Sequence, residues 1–192
     1  MSIKTKEKIL KVATALFSQF GYKGTSIRKI ASEVGIRESA IYNHYKNKNT
    51  IFLEVTKELF STNYFLDKNI SVLALNGKSM LDEFTKNYKI ETLNNQDMFR
   101  LIMVELMQND SIKEEFIEQV HKKNIKFLSE CFFIMMQENI IKSSDPMLLA
   151  YEYLSTLFYI KLQILLTNSK KTNGIFMQFE KHTDFFWESI KV

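Results

Sequence analysis

Apolar side chains recur at helical spacing along almost the whole chain, and this pattern restricts the fold more than any other feature. In the first segment, Ile9, Ala13, Leu16 and Phe20 fall on one helical face. The chain has only 5 glycines and 1 proline, too few for the many turns of an all-β protein. No stretch alternates apolar and polar residues as a half-buried strand would. The sequence therefore predicts an all-α fold.

Glycines and capping residues place the expected helix boundaries. Gly35 ends the second helix, Ser111 begins a capping-box pattern, and Asp145 precedes Pro146 at the start of another helix. We expect about nine helices, over residues 4–20, 25–34, 37–45, 48–74, 79–93, 97–108, 111–139, 145–168 and 174 to the C-terminus. Thr25 or Ser26 can cap the second helix.

Charge is distributed unevenly along the chain. Residues 1–50 contain 10 basic and 3 acidic residues, a net charge of +7, whereas residues 51–192 have a net charge of −3. A basic segment joined to a mildly acidic one is typical of a module that binds a polyanion. The charge distribution alone is equally consistent with a solvated basic face that binds no partner.

The three short N-terminal helices match a helix-turn-helix, in which the third helix enters the major groove of DNA. Ile41 and Tyr45 share one face of that helix and can pack on the second helix, while polar residues occupy the opposite face. Amide and hydroxyl groups there can bond base edges, and basic or phenolic groups suit phosphate. The expected DNA-contacting residues are Thr25, Arg28, Arg37, Ser39, Ala40, Tyr42, Asn43, His44 and Lys48.

These motifs resemble the TetR family of bacterial regulators. The resemblance covers about residues 8–52 and rests on Ile30-Ala31, Val34-Gly35-Ile36, Ile41-Tyr42, His44-Tyr45 and Lys48. Arg37 and Glu38-Ser39 depart from the family pattern, and Arg37 has no side-chain oxygen with which to cap the recognition helix. The resemblance implies residues 1–50 as a DNA-binding domain and residues 51–192 as a helical effector-binding and dimerisation domain. It also implies a repressor that binds an inverted-repeat operator and is released by a small molecule.

The segment 51–192 contains 14 of the 16 phenylalanines and 8 of the 9 methionines. Such side chains can line a cavity for a largely apolar effector, or they can simply fill the core. Polar and flexible side chains in this segment are the candidate ligand contacts: Tyr88, Arg100, Met103, Glu105, Met107, His121, Asn124, Tyr151 and Tyr159.

The last two helices carry apolar residues on more than one face, so a second surface is needed to bury them. The family resemblance implies that these helices pair with their copies in a homodimer. The expected interface residues are Leu154, Phe158, Leu162, Phe179 and Phe186. A monomer with a thick core is the alternative.

Other functional classes receive little support from the sequence. Gly77-Lys78-Ser79 ends like a phosphate-binding loop, but Val72 stands where that loop requires glycine. Neither a metal-binding nor a catalytic motif is present, so we expect no enzyme, no metal and no cofactor. The single cysteine, Cys131, and the lack of a long apolar run indicate a cytoplasmic protein without membrane association. A helical protein–protein interaction module without sequence-specific DNA binding is the remaining alternative.

Overall fold

The computed structural model describes residues 2–60, 69–167 and 173–192. Its helices are α1 Ser2–Phe20, α2 Ile27–Val34, α3 Glu38–Tyr42, α4 Lys48–Phe60, α5 Ile70–Leu75, α6 Lys78–Asn94, α7 Gln96–Gln108, α8 Asp110–Phe116, α9 Lys122–Gln137, α10 Pro146–Leu166 and α11 Asn173–Ile190. A π-helical turn, Ile117–His121, joins α8 to α9. The prediction of an all-α fold is confirmed. Within these ranges, no helix combines the length and the hydropathy needed to cross a bilayer.

Capping explains where the N-terminal helices begin and end. The Ser26 side chain accepts a hydrogen bond from the Lys29 backbone N–H at the start of α2. Gly35 ends α2 at φ 79°, a left-handed conformation that glycine adopts without strain. The same principle operates at α10, where the Asp145 carboxylate accepts hydrogen bonds from the Met147 and Leu148 backbone N–H groups.

Two long helices expected from the sequence are divided, so the described residues contain eleven α-helices. The predicted continuous helix over 48–74 is wrong, because Asn69 is extended and its side chain caps a new helix, α5. Residues 61–68 of that prediction lie outside the described residues. The predicted helix over 111–139 is also wrong: Asn109, not Ser111, is the cap, and the π-helical turn separates α8 from α9.

The chain forms two compact units. The first comprises Met1–Phe60 and Asn95–Val120. Within it, α1 contacts α2, α4 and α7, and α8 contacts α4. The unit is therefore discontinuous in sequence, since α7 and α8 pack with the N-terminal helices. The functional division at residue 50 stays a prediction.

The second unit comprises Ser61–Asn94 and His121–Val192. A buried hydroxyl cluster links three of its helices: the Thr85 and Tyr153 hydroxyl oxygens lie 2.6 Å apart, and the Thr85 and Thr183 oxygens are also 2.6 Å apart. The Tyr153 hydroxyl also donates to the Leu81 carbonyl. Because buried hydroxyls are costly without partners, these bonds fix the relative positions of α6, α10 and α11.

Candidate nucleic-acid interface

The short helix α3 presents a polar outer surface above an apolar anchor. Ile41 is completely buried, and α3 packs on α2, where Ile30 and Val34 are also buried. On the outside, Tyr42 is 54% exposed and Asn43 is also exposed. The predicted inward and outward faces are therefore confirmed.

Most of the predicted DNA-contacting side chains are accessible on this unit. Arg28, Arg37, Ser39, Tyr42 and Asn43 are exposed, whereas Ala40 and His44 are half-buried. The helix ends at Tyr42, three residues earlier than expected, and Asn43 is its C-cap. Two hydroxyl groups, one amide and two guanidinium groups thus lie on the surface of α2, α3 and the residues that flank α3.

The start of α3 lacks a side-chain cap. Arg37 occupies the N-cap position in an extended conformation and makes no capping hydrogen bond, as expected of a residue that carries only donors. Glu38 lies in the first turn, where its negative charge interacts favourably with the helix dipole. Arg37 is exposed.

Thr25 differs from the other predicted contacts because its side chain is buried. It is 1% exposed, and its hydroxyl donates to the carbonyls of Leu16 and Gly21 at 3.1 and 2.9 Å. These bonds fasten the turn between α1 and α2. In this conformation the hydroxyl serves the fold and is not presented to a ligand.

Lys48 is half-buried, and its side chain binds the same turn between α1 and α2. Its ammonium donates to the backbone carbonyls of Tyr22 and Thr25 at 2.7 and 2.9 Å. The ammonium also lies 4.0 Å from the centroid of the Tyr22 ring, a cation–π contact. Burial lowers the pKa of Lys48. Sequence reasoning identified this residue as a phosphate contact but did not find its contacts within the protein.

A buried carboxylate interacts electrostatically with this lysine. Glu105 of α7 is 5% exposed, and burial raises its pKa, while the charges of Lys23 and Lys48 act in the opposite direction. The negative charge of Glu105 in turn raises the pKa of Lys48 against the effect of burial. The sequence suggested Glu105 only as a candidate ligand contact. In the structure its charge interacts with those of Lys23 and Lys48 in the same unit.

The candidate effector residues are distributed over both units. Arg100, Met103 and Met107 lie in the first unit, where Arg100 pairs with Asp97 at 3.6 Å and Met107 is 86% exposed. The others lie in the second unit: Tyr88, His121, Asn124, Tyr151 and Tyr159. Within that group, the rings of His121 and Tyr151 lie 6.0 Å apart and Asn124 is buried.

Lys161 is a buried cation that sequence reasoning missed. It is 1% exposed, it lies toward the C-terminal end of α10, and its ammonium is 5.0 Å from the centroid of the Tyr88 ring. Burial lowers the pKa of Lys161 to about 7, and the charge of Glu91 acts in the opposite direction. The only sequence signal was a single lysine within an otherwise apolar helix.

The predicted interface residues fall into two groups. Leu154, Phe158 and Leu162 lie on accessible or half-buried parts of α10. Phe179 is fully buried and Phe186 is 7% exposed, and both belong to the core of the second unit. Phe158 is also among the large apolar residues that are exposed on α10 and α11, and the others are Met147, Leu148, Tyr151, Tyr159, Leu166, Met177 and Phe185.

One cavity in the first unit has a volume of about 390 Å³. Its walls are polar and of mixed charge, and they include Lys6, His44, Lys46, Glu54 and Glu115. Two of these residues form an ion pair, since the Lys6 ammonium lies 3.1 Å from a Glu54 carboxylate oxygen. An apolar effector is a poor match for such a surface.

Comparison with known proteins gives an independent view of the N-terminal segment. Residues 9–55 match the family model described as bacterial regulatory proteins, tetR family. The chain is also similar to the negative transcriptional regulator IcaR of the biofilm operon icaADBC from Staphylococcus epidermidis, with 40% identity over 62 residues. That match covers 32% of this chain and 32% of IcaR. The chain thus matches about a third of that relative's length.

Solved structures are similar over nearly the whole chain. A putative TetR-family transcriptional regulator from Mesorhizobium loti superposes with a TM-score of 0.75 at 21% identity, covering 100% of this chain and 99% of that one. SmeT, the repressor of the Stenotrophomonas maltophilia multidrug efflux pump SmeDEF, gives a TM-score of 0.70 at 14% identity, with coverage of 97% and 90%. At these identities the likeness concerns the fold.

Proposed function

Since the chain belongs to the TetR family of bacterial regulatory proteins through its N-terminal domain, we propose that it is a repressor that binds an inverted-repeat operator as a homodimer. Its relatives are DNA-binding regulators and not enzymes, so the chain is not an enzyme. The observation that carries the proposal is the polar outer face of α3, held above the buried Ile41. Repression is supported by IcaR and SmeT, which are a negative regulator and a repressor.

Operator contacts are assigned to the accessible side chains of the motif. Asn43 reads a base edge and Tyr42 binds phosphate, while Arg28 of α2 and Arg37 at the start of α3 bind the phosphate backbone. All four are exposed. Thr25 is left out of this set because its hydroxyl is bonded within the protein.

A homodimer is supported by the apolar stripe on the last two helices. Along α10, Met147, Tyr151, Phe158 and Leu166 are between 38% and 79% exposed, and Phe185 on α11 is 76% exposed. A second copy would bury this surface. Two-fold symmetry would then present two recognition helices to successive major grooves.

The effector is a small apolar or amphipathic molecule that binds the second unit and weakens operator binding. The support is the richness of residues 51–192 in phenylalanine and methionine. Release requires that the molecule bind more tightly to the form that does not fit the operator. We place the protein in the cytoplasm, where its DNA target lies.

Selection of the full chain against random duplex DNA tests the proposal. Enrichment of an inverted repeat is the expected result, and binding should weaken steeply as salt increases. Tyr42→Phe should lower affinity for the selected duplex, whereas Lys86→Ala, an exposed change on α6, should not. Enrichment of no sequence would favour an interaction module that does not recognise DNA.

A further inference from the structure

The helix α2, which packs on the recognition helix α3, is bonded at both ends by lysines from other helices. At its start, the ammonium of Lys48 on α4 donates to the carbonyls of Tyr22 and Thr25 at 2.7 and 2.9 Å. Thr25 directly precedes the N-cap of α2. At its end, the ammonium of Lys8 on α1 donates to the carbonyl of Val34, the last residue of α2, at 2.8 Å.

We propose that Lys8 and Lys48 are positioning residues for the DNA interface: their ammonium groups fix the two ends of α2, and thereby the place of α3, instead of binding phosphate. The inference rests on the proposed operator binding. Both lysines belong to the 10 basic residues of segment 1–50, and the sequence analysis expected Lys48 to contact DNA. Two charges of the basic segment are thus assigned to the fold and not to the surface that meets DNA.

The bond made by Lys8 satisfies a carbonyl that α2 itself cannot. The last four carbonyls of an α-helix have no donor within the helix, and Val34 is the last residue of α2. A cation at this end also interacts favourably with the helix dipole. Gly35 follows directly, and the chain turns there toward α3. The Lys8 ammonium therefore fixes the point from which the recognition helix begins its course.

The bonds made by Lys48 belong to a set of contacts between α4 and the turn before α2. The ammonium lies 4.0 Å from the centroid of the Tyr22 ring, and the Tyr22 hydroxyl donates to the side chain of Asn49. The same ring packs against Phe17 and Phe52, with centroids 5.9 and 5.0 Å apart. An ammonium has three N–H donors. With two of them bonded to carbonyls, Lys48 has at most one left for a phosphate oxygen.

The sign of the change in stability separates a positioning lysine from a phosphate contact. Without DNA, a lysine that serves only phosphate repels the other charges of segment 1–50, whose net charge is +7. Its removal should leave the melting temperature unchanged or raise it. Removal of a positioning lysine leaves backbone carbonyls without their donor and should lower the melting temperature. The two explanations therefore predict opposite results for one substitution.

Thermal melting of the full chain without DNA is the first measurement. In Lys8→Met and Lys48→Met the side chain keeps a similar length but loses its donors, so both variants should melt below wild type. Lys11→Met, an exposed change on α1, is the matched control and should melt at the wild-type temperature or above it. Lys48→Arg keeps the charge and the donors, so it should recover part of the loss. Equal melting temperatures for Lys48→Arg and Lys48→Met would overturn the proposal.

Hydrogen exchange shows whether each lysine acts on its own end of α2. Lys8→Met should accelerate exchange of the Gly35 amide, which bonds the last turn of α2. Lys48→Met should accelerate exchange of the Ile30 amide, which bonds the Ser26 carbonyl in the first turn. An equal acceleration along the whole chain would show a general loss of stability only and would contradict the proposal.

Operator affinity, measured by fluorescence anisotropy over a range of salt concentrations with the selected duplex, tests the role in DNA binding. Loss of a phosphate contact reduces the slope of log K against log salt by about one unit, and Arg28→Ala should show this reduction. For Lys8→Met and Lys48→Met we expect the dissociation constant to rise about tenfold with an unchanged slope. A slope reduced by about one unit, or wild-type affinity, in these variants would overturn the proposal. A wild-type protein that binds no duplex overturns the proposed function, whereas melting and exchange still decide whether the two lysines hold α2.

Discussion

Replacing Lys161 by methionine should stabilise the protein and remove part of its pH dependence. Lys161 is 1% exposed and lies over the Tyr88 ring in the second unit. Methionine has a similar length and no charge to desolvate, so it can occupy the same space on α10. The change therefore tests how much free energy the buried cation costs.

The magnitude follows from the pKa of Lys161, which burial lowers from 10.5 to about 7. Since one pH unit corresponds to about 1.4 kcal/mol, the cost at neutral pH is at most about 5 kcal/mol, and relaxation of the surroundings reduces it. We expect Lys161→Met to raise the free energy of unfolding at pH 7 by about 2 kcal/mol.

The pH dependence has a definite sign. Because the pKa of Lys161 is lower in the folded state than in the unfolded state, the unfolded state binds more protons between pH 7 and about 10. Wild-type stability should therefore rise with pH in this window relative to the variant, by about 2 kcal/mol from pH 7 to pH 9. Burial raises the pKa of Cys131 to about 12, which acts in the opposite direction above pH 8. This contribution cancels in the comparison.

Urea unfolding at pH 7, 8 and 9 provides the measurement, at one protein concentration because a dimer gains stability with concentration. Lys86→Met, an exposed change on α6, is the control and should leave the pH dependence unchanged. The reasoning is refuted if wild type and Lys161→Met show parallel pH profiles. A variant less stable than wild type at pH 7 would also refute it, because the contacts of the lysine would then outweigh its burial.

Four further outcomes are expected. Asn43→Ala should reduce the binding free energy by about 1–3 kcal/mol, and the loss should depend on the base at one operator position. Lys48→Ala should weaken binding to all sequences alike. Identical effects of the two variants on matched and mismatched duplexes would contradict these roles. Light scattering should give twice the chain mass of 22.7 kDa for wild type and the single mass for Phe158→Glu, with Lys123→Glu as a control that stays dimeric. Gly35→Ala should lower stability by about 1 kcal/mol, read from thermal melts, because its φ of 79° strains a residue with a Cβ. A titration of apolar and amphipathic compounds against the protein–operator complex should find one that releases DNA, and a compound that raises the melting temperature without releasing DNA would count against the switch.

Much of the first unit was predictable because its signals are local. Gly35 between two short apolar patterns predicted the turn, and the spacing of Ile41 and Tyr45 predicted the inward face of α3. The division of residues 48–74 and 111–139 was not predictable in the same way. Apolar spacing continues across both breaks, and the asparagines at 69 and 109 act as caps only through bonds to the following backbone N–H groups.

The site was predicted in residue types but not in contacts. Thr25 and Lys48 were identified as DNA contacts from the motif, whereas the structure shows their polar groups bonded to backbone carbonyls. The contacts of Lys48 with Thr25 and of Lys161 with Tyr88 join residues far apart in the chain. A single sequence contains no spacing rule for such pairs, since packing alone brings them together.

The discontinuous first unit has a consequence for building chimeric regulators. Helices α7 and α8 supply buried residues to that unit, among them Met98, Phe99, Ile102 and Ile112. A graft that transfers only residues 1–60 to another body would leave behind α7, which packs on α1, and α8, which packs on α4, and it would expose the apolar residues that these contacts cover. Transfer of DNA specificity between relatives should therefore either carry residues 95–120 along with the N-terminal helices or be confined to the exposed side chains of α2 and α3.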